Sequence, residues 1–229
     1  MMTQVSGLSF GGWQKQSFVD WPGQLSTVLF TPGCNLRCPY CHNATLLRGE
    51  NLSVYPSEQV LSWLALNRQL LDAVVVSGGE PTLHKGLLPF FRNVKELGLK
   101  NKLDTNGTHP ALLQQLIEQR LLDFVAMDIK APLQLKAYKK VVGPKFSASM
   151  MEQVKQSVAL LKASPIKVAF RITVARPLLN PQDVLLIKNE LEASLKVQNY
   201  QCSEGVLAPV GLTPWTPEEL AQVLAFTEK

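Results

Sequence analysis

Short runs of β-branched and apolar residues alternate along the chain with longer stretches in which apolar residues recur every three or four positions. The short runs predict strands and the longer stretches predict amphipathic helices. We predict strands at Ser26–Phe30, Ala73–Ser77, Lys102–Thr105, Phe124–Ile129 and Val168–Val174, with a weaker sixth within Val197–Pro209. We predict helices near Ser57–Gln69, Leu87–Glu96, Pro110–Gln119, Ser149–Ala163 and Pro181–Glu192, and a closing helix over Pro217–Lys229.

Strands that alternate with helices are typical of a parallel sheet with right-handed crossovers. Five or six strand–helix units are too few to close a full barrel. The pattern therefore predicts an α/β fold, a partial (β/α)6 barrel with parallel strands and the helices outside. With 229 residues, 46% of them apolar, and no linker or repeat, the chain is expected to form a single domain over 1–229 with a motif-bearing core at about 15–210.

Charge and hydropathy exclude several classes of partner. The net charge of +5 is spread along the chain, which gives little support to nucleic acid binding. No apolar run approaches the about 18–20 residues of a membrane span, so no membrane partner is expected. The start, Met1–Gln4, lacks a basic segment followed by an apolar one, which predicts no secretory leader and a cytoplasmic location.

Three cysteines, Cys34, Cys38 and Cys41, fall within eight residues in a C-x3-C-x2-C spacing. Cysteines this close predict a metal site rather than a disulfide framework. A [4Fe–4S] cluster normally takes four cysteines, so three would leave one iron open to a small ligand. Structural zinc is the alternative, but zinc needs a fourth ligand. That ligand would have to be His42 or the distant Cys202.

Unusual polar residues follow the other predicted strands. Gly78-Gly79-Glu80-Pro81 follows the second strand, Asp104-Thr105-Asn106-Gly107 ends the third, Asp128 and Lys130 end the fourth, and Arg171 and Thr173 interrupt the apolar fifth. In parallel α/β folds the carboxyl ends of the strands meet at the face that carries the chemistry. These residues and the cysteines are therefore predicted to share one active face.

Each of these motifs also has a structural interpretation. The glycines allow either a tight turn or a ligand close to the backbone, and the carboxylate of Glu80 suits a ligand ammonium. Asp104–Gly107 fits an Asx turn, and Asp128 with Lys130 fits a surface ion pair. Arg171 in an apolar strand requires an anionic partner, either a ligand carboxylate or a nearby aspartate.

The segments Phe18–Gly23 and Phe30–Asn43, the second ending Tyr-Cys-His-Asn, resemble the radical S-adenosylmethionine (SAM) enzymes that activate glycyl radical enzymes. Gly78–Pro81, Asp104–Gly107 and Met127–Lys130 continue the resemblance over most of residues 15–175. The Asp-Trp-Pro-Gly lead-in and the short length are most similar to activators of anaerobic ribonucleoside-triphosphate reductase. Activators of pyruvate formate-lyase are the alternative within the family.

The resemblance implies three bound groups, namely a [4Fe–4S] cluster, SAM and a monovalent cation. It assigns the cluster to Cys34, Cys38 and Cys41. The cofactor-binding residues that it implies are Tyr40 against the adenine, Gly78, Gly79 and Glu80 at the ammonium, Asp104, Thr105 and Asp128 around the cation, and Lys130 and Arg171 at other polar groups of SAM. Asn106 is a further predicted cofactor-binding residue. It also places Asp20 and Gly23 at the glycine loop of the substrate protein.

The chemistry that the resemblance implies is reductive cleavage of SAM, followed by abstraction of a hydrogen atom from a glycine Cα of a partner glycyl radical enzyme. The expected partners are anaerobic ribonucleotide reductase and a flavodoxin- or ferredoxin-type electron donor. One alternative is a radical SAM enzyme for a small molecule, such as a deazaguanine synthase, against which His42-Asn43 counts. The non-enzyme alternative is a zinc-stabilised binding module, with RNA as a ligand suited to the +5 charge.

Overall fold

The computed structural model describes residues 7–49, 52–202, 205–208 and 211–227. It contains the strands β1 (Ser9–Phe10), β2 (Gly12–Ser17), β3 (Ser26–Thr31), β4 (Tyr55–Pro56), β5 (Ala73–Gly78), β6 (Lys100–Thr105), β7 (Phe124–Asp128), β8 (Lys167–Val174) and β9 (Leu195–Asn199). Seven of them form one sheet in the order β2-β3-β5-β6-β7-β8-β9. The strands β1 and β4 form a separate antiparallel pair.

Helices connect the parallel strands. They are α1 (Ala44–Arg48), α2 (Ser57–Asn67), α3 (Leu87–Glu96), α4 (Pro110–Glu118), α5 (Leu135–Val142), α6 (Ala148–Ala163), α7 (Pro181–Leu191) and α8 (Pro217–Thr227), with a single 3-10 turn at Pro81–Leu83. Sequence signals fix several starts, as at α7, where Asn180 and Asp183 form a reciprocal capping box. None of these helices, within the described ranges, is long and apolar enough to cross a membrane.

The two faces of the sheet carry different cores, because alternate residues of a strand point to opposite faces. The outer face packs against the helices in one large apolar cluster that includes Leu29, Val76 and Leu103. The inner face carries a small apolar cluster formed by Trp21, Val28, Ala73, Val75 and Phe124. Trp21 comes from the loop before β3, so this small cluster fills the end of the barrel at which the parallel strands begin.

The predicted partial (β/α)6 barrel is confirmed. The strands β3, β5, β6, β7, β8 and β9 are all parallel to their neighbours. The sixth strand occupies Leu195–Asn199, so the prediction within Val197–Pro209 was placed too late. Of the residues in that prediction, 203, 204 and 209 lie outside the described ranges, as do Met1–Gln4 and the last two residues of the predicted closing helix.

The sequence patterns missed five elements, namely β1, β2, β4, α1 and α5. The edge strand β2 pairs antiparallel with β3, and its sequence, Gly-Trp-Gln-Lys-Gln-Ser, lacks the apolar alternation of a half-buried strand. Helix α5 buries Tyr138, Val141 and Val142. That spacing is helical, but it spans too few residues to form a clear pattern.

Candidate active site

A pocket lies at the carboxyl ends of the parallel strands, where the loops after β3, β5, β6 and β7 meet. Its lining includes twelve of the thirteen residues that the resemblance assigned to the bound groups, namely Cys34, Cys38, Tyr40, Cys41, Gly78, Gly79, Glu80, Asp104, Thr105, Asn106, Asp128 and Lys130. The lining also includes Asn43, Ser77 and Thr173. Residues from four separate sequence motifs therefore line one pocket.

The three cysteine side chains have different surroundings. Cys38 is buried, whereas Cys34 and Cys41 are partly exposed. Burial raises the pKa of the Cys38 thiol to about 11 and also raises the pKa of Cys34. Since the thiolate is the form that binds metal, a metal centre at this site must displace these protons when it binds.

Two N–H groups point at the sulfur of Cys34. The backbone N of Leu36 lies 3.4 Å from Cys34 Sγ, and Asn106 Nδ2 lies 3.8 Å from the same atom. The orientation of the Asn106 amide is fixed, because its Oδ1 accepts hydrogen bonds from Thr108 N at 3.0 Å and Thr108 Oγ1 at 2.7 Å. Donors directed at sulfur are a feature of iron–sulfur sites, where they influence the reduction potential.

The cysteine loop is held from the far end of the chain. Leu207 N donates to Cys41 O at 2.9 Å, and Ala208 N donates to Pro39 O at 3.0 Å. The His42 ring stacks on Tyr200 at a centroid distance of 6.0 Å, and its Nε2 lies 2.7 Å from Gln201 O. His42 thus has a bracing role, which the sequence alone left open.

Gly78, the last residue of β5, and Gly79 lie too close to the backbone of β3 and of the cysteine loop to carry a side chain. A Cβ on Gly79 would lie 1.8 Å from Gly33 O, and one on Gly78 would lie 2.5 Å from Thr31 N. Gly78 also has a φ of +110°, a region that other residues rarely adopt. The close approach that the structure shows therefore comes from the chain's own backbone. The approach of a ligand to these glycines, which also line the pocket, stays a prediction.

Glu80 is buried and accepts four hydrogen bonds from the protein. Its Oε1 accepts hydrogen bonds from Thr82 N at 3.1 Å, Thr82 Oγ1 at 2.5 Å and Thr105 Oγ1 at 2.7 Å. Its Oε2 accepts one from Asn106 N at 2.7 Å. The carboxylate therefore ties the turn after β5 to the end of β6, and only Oε2 keeps acceptor capacity for a further group.

Charged side chains on β6, β7 and β8 form a connected set on the inner face. Asp128 and Arg171 are direct neighbours across β7 and β8, and Arg171 Nε donates to Asp128 Oδ1 at 2.9 Å. Lys130 Nζ lies 3.2 Å from Asp128 Oδ2. Burial opposes the charged form of Asp128, but Lys130 and Arg171 outweigh it and lower the pKa of the carboxyl. Burial likewise opposes the charge on Lys130, yet Asp128 raises the pKa of that ammonium.

Three of the residues to which the resemblance gives a role do not line the pocket. Arg171 lies beside the pocket and pairs with Asp104 and Asp128. A nearby aspartate was one of the two anionic partners predicted for it, the other being a ligand carboxylate. Asp20 and Gly23 lie in the loop before β3, at the opposite ends of the strands from the cysteine loop. Asp20 accepts a hydrogen bond from Ser17 Oγ at 2.5 Å, and Gly23 has open space around its Cα.

The zinc alternative finds no support in the arrangement of ligands. No three His, Cys, Asp or Glu side chains in the described part of the chain lie close enough together to hold a single metal ion. A zinc ion would draw its sulfur ligands to about 2.3 Å, whereas a cluster binds each cysteine through a different iron. Three thiols around one pocket, with N–H donors directed at Cys34, fit the cluster better.

Comparison with known proteins decides the family. Residues 28–191 match the family model described as the radical SAM superfamily. The chain belongs to this superfamily. A protein of Methanocaldococcus jannaschii named as a glycyl-radical enzyme activating enzyme is 34% identical over 170 residues, covering 73% of this chain and 69% of the relative. The resemblance to activating enzymes is therefore confirmed.

Other radical SAM proteins share shorter stretches or only the fold. The pyruvate formate-lyase-activating enzyme of Staphylococcus aureus is 35% identical over 123 residues, 49% of each protein. The crystal structure of Streptococcus suis SuiB bound to SAM superposes with a TM-score of 0.59 at 16% identity, covering 79% of this chain and 44% of SuiB. Radical SAM enzymes use a [4Fe–4S] cluster and SAM, and these are the cofactors of this chain.

Proposed function

We propose that this radical SAM enzyme abstracts a hydrogen atom from a glycine Cα of a partner glycyl radical enzyme, and so activates that partner. The observation that carries the proposal is the single pocket in which the cysteine thiols, the Gly78–Glu80 turn and the carboxylates of Asp104 and Asp128 meet. The relatives named as activating enzymes support the same class of reaction.

The residues of the pocket have separate proposed roles in binding the cluster and SAM. Cys34, Cys38 and Cys41 would hold the cluster, which supplies the electron that cleaves SAM to methionine and a 5′-deoxyadenosyl radical. Glu80 Oε2 offers its remaining acceptor capacity to the SAM ammonium, and the ring of Tyr40 offers a buried flat surface to the adenine. Lys130 keeps N–H donors beyond its bond to Asp128 and faces the pocket, where a carboxylate would be stabilised.

For the partner, we propose anaerobic ribonucleoside-triphosphate reductase. The support is the Asp-Trp-Pro-Gly sequence of Asp20–Gly23, to which the resemblance drew attention. Pyruvate formate-lyase is the second candidate, favoured by the Staphylococcus aureus relative. A flavodoxin- or ferredoxin-type donor is the proposed source of the electron, since an excess of five positive charges suits an acidic protein.

Electron paramagnetic resonance tests the reaction and the partner together. The anaerobically reconstituted and reduced protein, mixed with SAM and purified anaerobic ribonucleotide reductase, should produce a glycyl radical signal. A partner in which the acceptor glycine is replaced by alanine should give none. A signal with pyruvate formate-lyase alone would contradict the proposed partner, and formation of 5′-deoxyadenosine with no protein radical on either would favour a small-molecule substrate.

Glu80→Ala is expected to weaken SAM binding at least about tenfold, because an ammonium loses a charged acceptor worth about 1.5–3 kcal/mol. It should also lower the melting temperature, since four protein hydrogen bonds disappear. Thr82→Val is the matched control, because it removes one of those bonds and leaves the carboxylate. Calorimetric titration with SAM should find the affinity of Thr82→Val unchanged. Equal losses of affinity in both variants would show that Glu80 acts only as a brace.

A further inference from the structure

Lys102 is a buried lysine that none of the proposed roles requires. It lies on β6 between Val75 of β5 and Phe124 of β7, two members of the small apolar cluster on the inner face. Its exposed fraction is 3%. A lysine is rarely buried to this extent unless its charge is paired. The groups around the Lys102 ammonium should therefore indicate the role of its charge.

The ammonium of Lys102 has two partners and an aromatic neighbour. Its Nζ lies 2.9 Å from Asp104 Oδ1 and donates to Asp20 O at 2.7 Å. It also lies 5.2 Å from the centroid of the Phe124 ring. Lys102 thus extends from the floor of the barrel up to a carboxylate that lines the SAM pocket.

Lys102 completes an alternating row of charges on the inner face. The row runs Lys102, Asp104, Arg171, Asp128, Lys130, and each member contacts the next at 2.9 to 3.4 Å. Three cations and two carboxylates give a net charge of +1. Without Lys102 the net charge of the row would be zero. Arg171 and Lys130 would then be the cations of the row that neutralise the two carboxylates.

The row bears directly on the monovalent cation that the resemblance placed among Asp104, Thr105 and Asp128. All four carboxylate oxygens already lie 2.9 to 3.4 Å from a protein cation, since Arg171 contacts Asp104 Oδ2 and Asp128 Oδ1 while Lys102 and Lys130 face the other two. Asp104 Oδ1 is buried and accepts no hydrogen bond, so its charge is met by the ion pair with Lys102. The Thr105 hydroxyl donates to Glu80 at 2.7 Å. These residues therefore do not fit a bound cation, because the charges of Lys102, Arg171 and Lys130 beside the carboxylates would repel it.

We infer that Lys102 is a positioning residue. Its ammonium supplies the positive charge that a bound monovalent cation would otherwise supply beside Asp104. It neutralises Asp104, which allows Arg171 to remain on Asp128 and leaves surplus positive charge near Lys130 for the SAM carboxylate. SAM binding to this chain should then be indifferent to sodium and potassium. The inference rests on the proposed placement of SAM in the pocket.

The test measures SAM affinity of the reconstituted protein in choline chloride and in potassium chloride at equal ionic strength. For the wild type the two dissociation constants should agree within about twofold. Lys102→Met keeps a long unbranched side chain, one atom shorter than that of lysine, and removes the charge. Its affinity should fall at least about tenfold in choline chloride and recover in potassium or ammonium chloride, within the usual range of coupling between two ligands.

Lys100→Met is the matched control, since Lys100 lies on the same strand, is exposed and donates to Gln24 Oε1 at 2.7 Å. It should bind SAM equally in both salts. A wild-type protein that loses about tenfold affinity in choline chloride would overturn the inference without any variant. So would a Lys102→Met protein with a native circular dichroism spectrum and the same affinity in both salts. A wild type that binds no SAM in any salt would instead overturn the placement of SAM.

Discussion

Cys38→Ala is expected to form no 5′-deoxyadenosine from SAM above background. The pocket offers three thiols to the cluster, so loss of one leaves only two protein ligands where a [4Fe–4S] cluster normally has four. The variant should still fold, because Cys38 is a small buried side chain and its truncation removes little apolar surface. The measurement is anaerobic reconstitution, analysis of iron and sulfide per chain, and chromatographic assay of 5′-deoxyadenosine.

Cys202→Ala is the matched control for that experiment. Cys202 is exposed and does not line the pocket, so this variant should take up iron and cleave SAM as the wild type does. Appreciable cleavage by Cys38→Ala would refute the assignment of the cluster ligands. Loss of activity in Cys202→Ala with a normal iron content would also be contrary to expectation, since it would assign that thiol a part in the reaction.

Gly79→Ala is expected to destabilise the protein by more than about 4 kcal/mol, or to force the cysteine loop away from β5. The added Cβ would lie 1.8 Å from Gly33 O, an overlap with backbone that no side-chain rotation relieves. Gly79 N donates to Thr31 O and Glu80 N donates to Gly33 O, both at 2.8 Å. The added Cβ would therefore strain the hydrogen bonds that hold the cysteine loop against the turn after β5. Urea unfolding and iron content after reconstitution measure the two effects.

Gly98→Ala separates this effect from the general cost of replacing a glycine. Gly98 has a φ of +82° but nothing within 4 Å of the added Cβ, so only the backbone penalty of about 1–2 kcal/mol is expected. A Gly79→Ala protein as stable as the wild type and with a full cluster would show that the turn after β5 is not closely packed against the cysteine loop.

The fold was largely predictable because burial imposes a pattern on the parallel strands. Val74, Val75 and Val76 in β5 are all fully buried, and such continuous apolar runs are typical of strands covered on both faces. The edge strand β2 escaped prediction since its middle residues, Lys15 among them, are exposed. An edge strand is defined by its neighbour, in this case β3, and its own sequence carries little of that information.

The lining of the pocket was predictable where polar residues end apolar strands, as at Asp104 and Asp128. The rule failed for residues whose importance comes from distant contacts. Asn43 donates to Gly78 O at 3.1 Å and Ser77 donates to Asp104 Oδ2 at 3.1 Å, yet neither residue interrupts a pattern. Lys102 lies inside a predicted strand, where a lysine suggests an exposed position, and only the fold places it beside Asp104.

The brace formed by Leu207 and Ala208 has a consequence for how the protein is made. The ribosome adds about 5–20 residues per second, so the cysteine loop emerges on the order of ten seconds before the segment that holds it. The bond between His42 and Gln201 joins residues 159 positions apart. A nascent chain thus presents the three thiols before the segment that braces their loop has been made. Prematurely terminated chains would carry the whole cysteine motif and still lack its support.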